Sequence, residues 1–401
     1  MQLRYNYRLD PAPRHRAALA RAFGCVRVVY NDGLRAREEA HKTGLPYPSY
    51  AELSRRLTLA KRTPDRAWLT EVSAAALQQA LADLNTAYRN YFASLSGNRH
   101  GPKMRPPRFR SRKDHRQTVR FTANARFRVL PSGKLRLPKI GDVPVRWSRP
   151  LPSRPSSVTV IKDAAGRYFA SFVVEAGPRS RPATGPAVGI DLGLTHFAVL
   201  SDGTKIASPQ FLRRAEKKLK RTQRNLSRKE KGSKNRDKAR VKAARAHASV
   251  ADARREFHHH LSTALIHDNQ AVAVEDLAVK GLARTRLAKS VHDAGWAAFV
   301  RMLEYKARLY GREFHRIDRF EPTSQTCSAC GTRDGPKPLS VRAWRCRGCA
   351  AWLDRDVNAA VNVAKAAGLA VTACGAQVRP EPVPAQRSEA GTHPKSHQEV
   401  A

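Results

Sequence analysis

Residues 2–9 alternate. Leu3, Tyr5, Tyr7 and Leu9 fall on one side and polar residues on the other, which predicts a strand with one buried face. Asp10-Pro11-Ala12-Pro13 ends it. From Arg14 to Ala40 the period becomes helical, with Leu19, Phe23, Val26, Val29 and Tyr30 near one face and Gly24 as a site for a kink. Leu77, Leu81, Leu84, Tyr88, Tyr91 and Phe92 recur every three or four residues, an amphipathic helix ended by Ser96-Gly97. Aromatic residues at this spacing read as core rather than as a base-stacking surface. Six short β-like runs follow, at 118–122, 126–130, 134–137, 143–147, 157–161 and 168–174. Gly and Pro turns separate them, which suggests a small barrel or sandwich. The first strand is expected to join it, with the helices of 14–95 as an insertion.

Past a linker at 177–186 the order of elements changes. Ala187 to Leu194 reads as a buried strand with Asp191 in its middle, followed by strands at 197–200 and 205–207. Residues 211–265 are helical, with Leu212, Leu219 and Leu226 seven apart and a break at Gly232-Ser233 that makes a hairpin. The adjacent His258, His259 and His260 face different ways on a helix and read as surface or packing residues. Gln270 to Val274 is a fourth strand, ending at Glu275-Asp276. Asp293 is placed to cap a helix that buries Trp296, Phe299, Leu303 and Tyr310, and 313–317 is a fifth strand. A last helix begins near Asp354. Three antiparallel strands, helix, strand, helix, strand and a final helix is the layout of the RNase H fold.

That layout brings an acid from strand one, Asp191, to one from the end of strand four, Glu275, and one from the last helix, Asp354 or Asp356. Each alone has an ordinary explanation: a hydrogen-bonded structural Asp, a surface Glu, a helix cap. Together they cannot sit in a partly buried site without cations. Hard oxygen ligands favour two Mg2+ or Mn2+ ions, which suit phosphodiester cleavage. Glycines on both sides of Asp191 are expected to leave room for an ion or a ligand backbone.

Between the fifth strand and the last helix stand Cys327, Cys330, Cys346 and Cys349, two C-x2-C knuckles fifteen residues apart. Two such turns close a sulfur tetrahedron around one structural zinc. A disulfide framework fits poorly, because nothing in the chain looks secreted.

Composition adds a partner. The chain has 401 residues, 41% of them hydrophobic, and a formal charge of +42. It is long enough for several cores and too charged for most partners except an extended polyanion. No run approaches about 18 apolar residues, so no membrane role and a prokaryotic cytoplasmic or nucleoid location are expected. Cations concentrate at 99–116, including Lys103, Arg105, Arg108 and Arg110. They gather again on the first hairpin helix at Arg213, Arg214, Lys217, Lys218, Lys220, Arg221 and Arg224. Both stretches are candidate phosphate contacts.

Gly189-Ile190-Asp191-Leu192-Gly193, Val274-Glu275-Asp276-Leu277, and Cys327-Ser328-Ala329-Cys330 through Asp354-Arg355-Asp356-Val357-Asn358-Ala359-Ala360 resemble the RuvC and zinc-ribbon motifs of the TnpB family. The opening segment YNYRLDPAPRHRAALARAFGCVRVVYNDGL resembles that family's start, so the likeness covers about residues 2–376. TnpB proteins are transposon-encoded, RNA-guided DNA endonucleases related to type V CRISPR effectors. The resemblance implies a multidomain α+β chain: a wedge-like β-barrel (1–12 and 117–180), a helical recognition insertion (13–116), and an RNase H-like RuvC α/β domain (183–320 and 353–368) interrupted by a zinc ribbon (321–352). Independently of it, the Pro-, Gln- and Ser-rich composition after about Gly368 predicts a disordered tail (369–401). The resemblance also implies Asp191, Glu275 and Asp356 as catalytic, magnesium-binding acids, with Asp356 preferred to Asp354 because Val357-Asn358 follows it. It implies a guide RNA from the mobile element and target double-stranded DNA as partners. Protein partners are not specified. The alternatives in other classes are a non-cleaving RNA-guided DNA-binding regulator and a transposase that joins strands.

Overall fold

The structure is a computed structural model that describes residues 1–179, 182, 185–338 and 340–369. The tail assigned to 369–401 therefore lies, from residue 370 on, outside the described residues. The chain is a mixed α/β, multidomain protein made of two compact units: Met1–Gly177 with Lys217–Ser249, and Pro178–Glu216 with the chain from Val250 onward.

In the first unit, β1 (Gln2–Leu9) leads into α1 (Pro13–Lys42), α2 (Tyr50–Ala60) and α3 (Ala74–Leu95). The chain then returns through β2 (Gln117–Thr122), β3 (Arg128–Val129), β4 (Lys134–Leu137), β5 (Gly141–Arg146), β6 (Ser157–Lys162) and β7 (Tyr168–Glu175). These form one antiparallel seven-stranded sheet in the order β2-β6-β7-β1-β5-β4-β3, with β1 between β7 and β5. Tyr5, Tyr7 and Leu9 point from β1 into a core shared with Phe121, Leu135, Val143 and Phe172. Tyr7 packs on Trp147 at 4.6 Å.

α1 starts where Pro13 fits a first helical turn and runs unbroken through Gly24, so the kink expected there does not form. It ends at Thr43, before Gly44 in the left-handed region. Its Leu19, Phe23, Val26, Tyr30 and Leu34 pack with Leu77, Leu81 and Leu84 of α3. The aromatic end of α3 departs from the core reading. Tyr88 still packs against the core, but Tyr91 is only half-buried and Phe92 is 49% exposed, because the fully buried part of the helix ends at Leu84.

The second unit is built on β8 (Val188–Asp191), β9 (His196–Leu200) and β10 (Lys205–Ala207), then the helical hairpin α4 (Phe211–Ser227) and α5 (Lys234–Asp268). Next come β11 (Ala271–Glu275), α6 (Val279–Leu282), α7 (Ala288–Ala294), α8 (Trp296–Tyr310) and β12 (Glu313–Ile317). β13 (Ala343–Arg345), β14 (Trp352–Asp354) and α9 (Arg355–Ala366) complete it. The sheet order is β10-β9-β8-β11-β12; β8, β11 and β12 are parallel, and β9 and β10 are antiparallel. The far part of the hairpin, Lys217–Ser249, belongs to the first unit. There Leu219 and Thr222 of α4 and Ala239, Ala243 and Ala246 of α5 are buried, and Arg245 reaches the Ala165 carbonyl at 3.4 Å.

Asp293 does not cap α8, whose N-cap is Gly295. It accepts the Leu212 and Arg213 amides at 2.8 and 3.2 Å, so it caps α4 across the fold. Gly295 already occupies the α8 cap with a left-handed backbone (φ 67°), which frees the aspartate. Among the described residues no helix is long and apolar enough to cross a membrane.

Gly189 has the tightest surroundings. A Cβ there would lie 2.0 Å from the Ala360 carbonyl oxygen and 2.9 Å from the Ala364 Cβ, so α9 rests directly on β8. The room expected beside Asp191 for an ion is, on this side, filled by helix. Gly189→Ala should therefore cost more than the ~1–3 kcal/mol of ordinary overpacking and lower the melting temperature sharply. Gly24→Ala, where a Cβ meets nothing within 4 Å in a helix, should instead stabilise by about 0.5–1 kcal/mol. Thermal unfolding of the two variants checks both signs.

Candidate nuclease and metal site

Asp191 ends β8 and Glu275 ends the adjacent parallel strand β11. The last paired residues are Ile190 and Val274, so the two acids stand side by side, one step beyond the ladder. Residues two apart on a strand share a face, so Asp191 lies on the side where Gly189 meets α9. Along α9, Ala364, Ala360 and Asp356 are successive i, i+4 positions, so the stripe that covers Gly189 carries Asp356 toward Asp191.

The electrostatics report the convergence. Burial, with added repulsion from Glu275 and Asp356, pushes the Asp191 pKa up to about 7. Burial also raises Glu275, partly offset by a hydrogen bond from the Thr323 hydroxyl. Asp356 has His196 Nδ1 at 3.9 Å and Arg342 Nη1 at 3.6 Å. The Nδ1 atom is buried without a hydrogen-bond partner.

Asp354 has a different job. Its Oδ1 accepts the Asp356 and Val357 amides, both at 3.0 Å, and it pairs with Lys205. It is the N-cap of α9, which leaves Asp356 as the acid on the inward stripe.

The cysteines gather as well. The Cys327, Cys330, Cys346 and Cys349 sulfurs all lie within 4.8 Å of one another, with Cys327–Cys349 at 3.7 Å and Cys330–Cys346 at 3.6 Å. Tetrahedral zinc with bonds of about 2.3 Å would space its sulfurs by about 3.8 Å, so the four fit a zinc ribbon. Trp344 and Val341 pack under the knuckles.

Two asparagines, Asn358 of the motif that follows Asp356 and Asn362 one turn on, tie this ribbon to α9. Asn358 accepts the Ser328 amide at 2.7 Å and donates to the Thr323 and Thr326 carbonyls at 3.3 and 2.8 Å. Asn362, one turn on, donates to the same two carbonyls at 2.8 and 2.7 Å. Thr323, whose hydroxyl holds Glu275, is thus clamped by the helix that carries Asp356. The available signal was a pair of asparagines at i, i+4 among alanines and valines, polar groups whose burial demands partners.

The other expected residues are spread out. Lys103, Arg105 and Arg108 lie on the loop after α3 and Arg110 stacks on Tyr30 at 3.7 Å. Arg213, Arg214, Lys217, Lys218, Lys220, Arg221 and Arg224 are all exposed on α4.

Comparison with known proteins follows the same divisions. Residues 171–286, which hold Asp191 and Glu275, match a family model described as "Probable transposase". Residues 296–363, which hold the cysteines and Asp356, match "Cas12f1-like, TNB domain". A Streptomyces pristinaespiralis protein named "Putative RNA-guided DNA endonuclease" is 46% identical over 381 residues, 94% of this chain and 92% of its own.

The chain belongs to the TnpB family. The Escherichia coli K12 relative named "Putative RNA-guided DNA endonuclease InsQ" is 31% identical over 94% of both chains. Residues 1–45 also match a "Helix-turn-helix domain" model, yet in this TnpB chain they form β1 and one unbroken helix. Among solved structures, a Cas12f1–sgRNA–target DNA complex resembles this fold with TM-score 0.51, 14% identity, and 86% and 82% coverage of this chain and that one.

The raised pKa of Asp191 has a consequence for stability. The folded protein holds this proton up to about pH 7, whereas an ordinary Asp releases it near 3.8. Stability from this group is complete below about pH 4 and is lost as pH rises through about 7. Asp191→Asn should melt several degrees above the metal-free wild type at about pH 8, the two should converge at about pH 4, and Mg2+ should narrow the gap by stabilising the wild type. Calorimetry across this range checks it, and equal melting temperatures at about pH 8 would contradict the coupling.

Proposed function

We propose that this TnpB-family chain is an RNA-guided DNA endonuclease of a mobile element, with Asp191, Glu275 and Asp356 as its catalytic acids. The observation that carries the reading is geometric: Asp191 and Glu275 stand side by side at the ends of paired parallel strands, and α9 rests on Gly189 with Asp356 on the same stripe. A protein that keeps three acids together against their own repulsion, on a chain of +42, keeps them for a cation and a polyanion. Relatives named as RNA-guided DNA endonucleases at 46% and 31% identity support the same activity here.

The donor set is oxygen only, which fits Mg2+ or Mn2+. Two such ions, when bound, supply an activated water and neutralise the leaving oxygen. The chain's own part is positional. Asp354 caps α9 and so fixes the turn from which Asp356 projects. Thr323 occupies Glu275 Oε1 and orients that carboxylate. Arg342, beside Asp356, offers positive charge to a phosphate entering the cleft. A single zinc on the four cysteines would hold the ribbon shut, and the two asparagines would pass that rigidity to α9.

In this reading the first unit's sheet is the wedge and α1–α3 the recognition insertion. Residues 183–320 and 353–368 make the RuvC-like domain and 321–352 the ribbon. Guide pairing reads the target sequence while Lys and Arg of the 99–116 loop and of α4 grip backbones.

The test uses the purified chain with its copurifying RNA, matching DNA and Mg2+. The wild type should cut, and chelation should stop it. Asp191→Ala, Glu275→Ala and Asp356→Ala should each lower cutting by several orders of magnitude while nucleic-acid binding persists. Asp354→Ala should cost about 1 kcal/mol of stability and keep most of the activity. Binding without cutting by the wild type would favour a regulator, joined strands would favour a transposase, and full activity in every variant would remove the mechanism.

A further inference from the structure

We propose that the outer end of α3, with the loop that follows it, is a stacking platform for unpaired RNA bases, a site that deepens and rests on the RNA-guided reading. The first observation is a ring cluster at the rim of the core, in which Tyr88 packs against the core and its neighbours extend outward. Tyr47, between α1 and α2, meets Tyr88 and Phe92 of α3 edge-on, with centroids 5.8 and 6.3 Å away. Tyr88 and Phe92 stack at 5.9 Å and 26°, and Tyr91 touches Phe92 at 5.3 Å. Tyr47 is 47% and Phe92 49% exposed, so ring surface remains free.

The cluster is held rigidly from beneath. Arg37 is almost fully buried, and its guanidinium lies 4.5 Å from the Tyr47 ring and 5.2 Å from that of Tyr88. It donates to the Pro48 carbonyl and to Asn85, so both ring-bearing segments are fixed to α1. Rings preset in this way lose little entropy when a base arrives.

The second observation is charge. From Leu84 to Lys113 the sequence has eight Lys and Arg and no acid. The loop carrying most of them is docked on the helices: the Met104 amide donates to Ser94 at 2.9 Å, and Arg110 exchanges two hydrogen bonds with Asn31. Exposed rings beside phosphate-seeking cations are the two halves of a single-strand site, one for bases and one for backbone. An apolar peptide would satisfy the rings and leave the cations unpaired. RNA is favoured over DNA because target DNA offers unpaired bases only after the guide invades it. An apolar patch left open until then would invite aggregation, whereas the guide covers it throughout.

The test measures binding of the full chain to a labelled oligouridylate, at salt high enough to weaken phosphate contacts. Oligothymidylate and duplex DNA are run alongside. Phe92→Ala and Tyr47→Ala should each weaken oligouridylate binding about tenfold, as loss of a base stack does, and leave duplex binding unchanged. Phe92→Leu keeps apolar volume without a ring and should weaken it as much, and 5-iodouridine in the probe should cross-link to the 47 or 88–92 peptides. Wild-type affinity in the variants, or rescue by Phe92→Leu, would overturn the platform even if guided cutting persists. A loss confined to oligothymidylate would overturn the choice of RNA. A wild type that cuts DNA with no RNA bound would overturn the RNA-guided reading and the platform with it.

Discussion

Helix α9 lies against strand β8 so closely that the position facing it on the strand has no side chain. Gly189 meets the Ala360 carbonyl and the Ala364 methyl, and any Cβ would force the two apart. The alanines are the counterpart of the glycine, because a larger residue at 360 or 364 would lift the helix in the same way. Everything in the site follows from this approach. The strand carries Asp191 two residues beyond the glycine, and the helix carries Asp356 one turn before Ala360. Parallel pairing of β8 with β11 then fixes Glu275 beside Asp191. A separation set by small residues leaves little freedom for the acids to drift apart and relieve their repulsion.

That repulsion has to be held by something, and the second layer of contacts shows what. Asp354 satisfies the first amides of α9. Asn358 and Asn362 bind the segment 323–328, from which Thr323 reaches Glu275 and Cys327 begins the ribbon. The cysteine cluster and the acid cluster are therefore ends of one hydrogen-bonded unit within the second compact body. Burial first, and the like charges of Glu275 and Asp356 second, push the Asp191 pKa up in this cluster.

Much of this was legible in the sequence because the relevant patterns are local. Alternation of Tyr5, Tyr7 and Leu9 gave a strand, and the C-x2-C pairs gave a sulfur cluster, since each depends on neighbours within a few residues. The order of strands and helices predicts that Asp191, Glu275 and an acid of the last helix face one cleft, and the pairing of β8 with β11 and the seating of α9 on Gly189 follow that order. What stayed hidden depended on contacts between distant segments. Gly189 looked like space for a ligand, and only the position of α9 reveals that a helix fills it. Asp293 stood in a good position to cap α8, yet its partners are amides 80 residues earlier. Tyr91 and Phe92 continued the period of Leu77, Leu81, Leu84 and Tyr88, but periodicity cannot say where a core ends.

We propose that three carboxylates, from β8, β11 and α9, act as one metal-holding centre. Anomalous diffraction from crystals of the wild-type chain soaked in Mn2+ tests it without recourse to activity. Manganese peaks should appear bounded by Asp191, Glu275 and Asp356, and be reduced or lost in crystals of Asp191→Asn. Manganese absent from that cleft at millimolar concentration, or bound there equally well without Asp191, would contradict it.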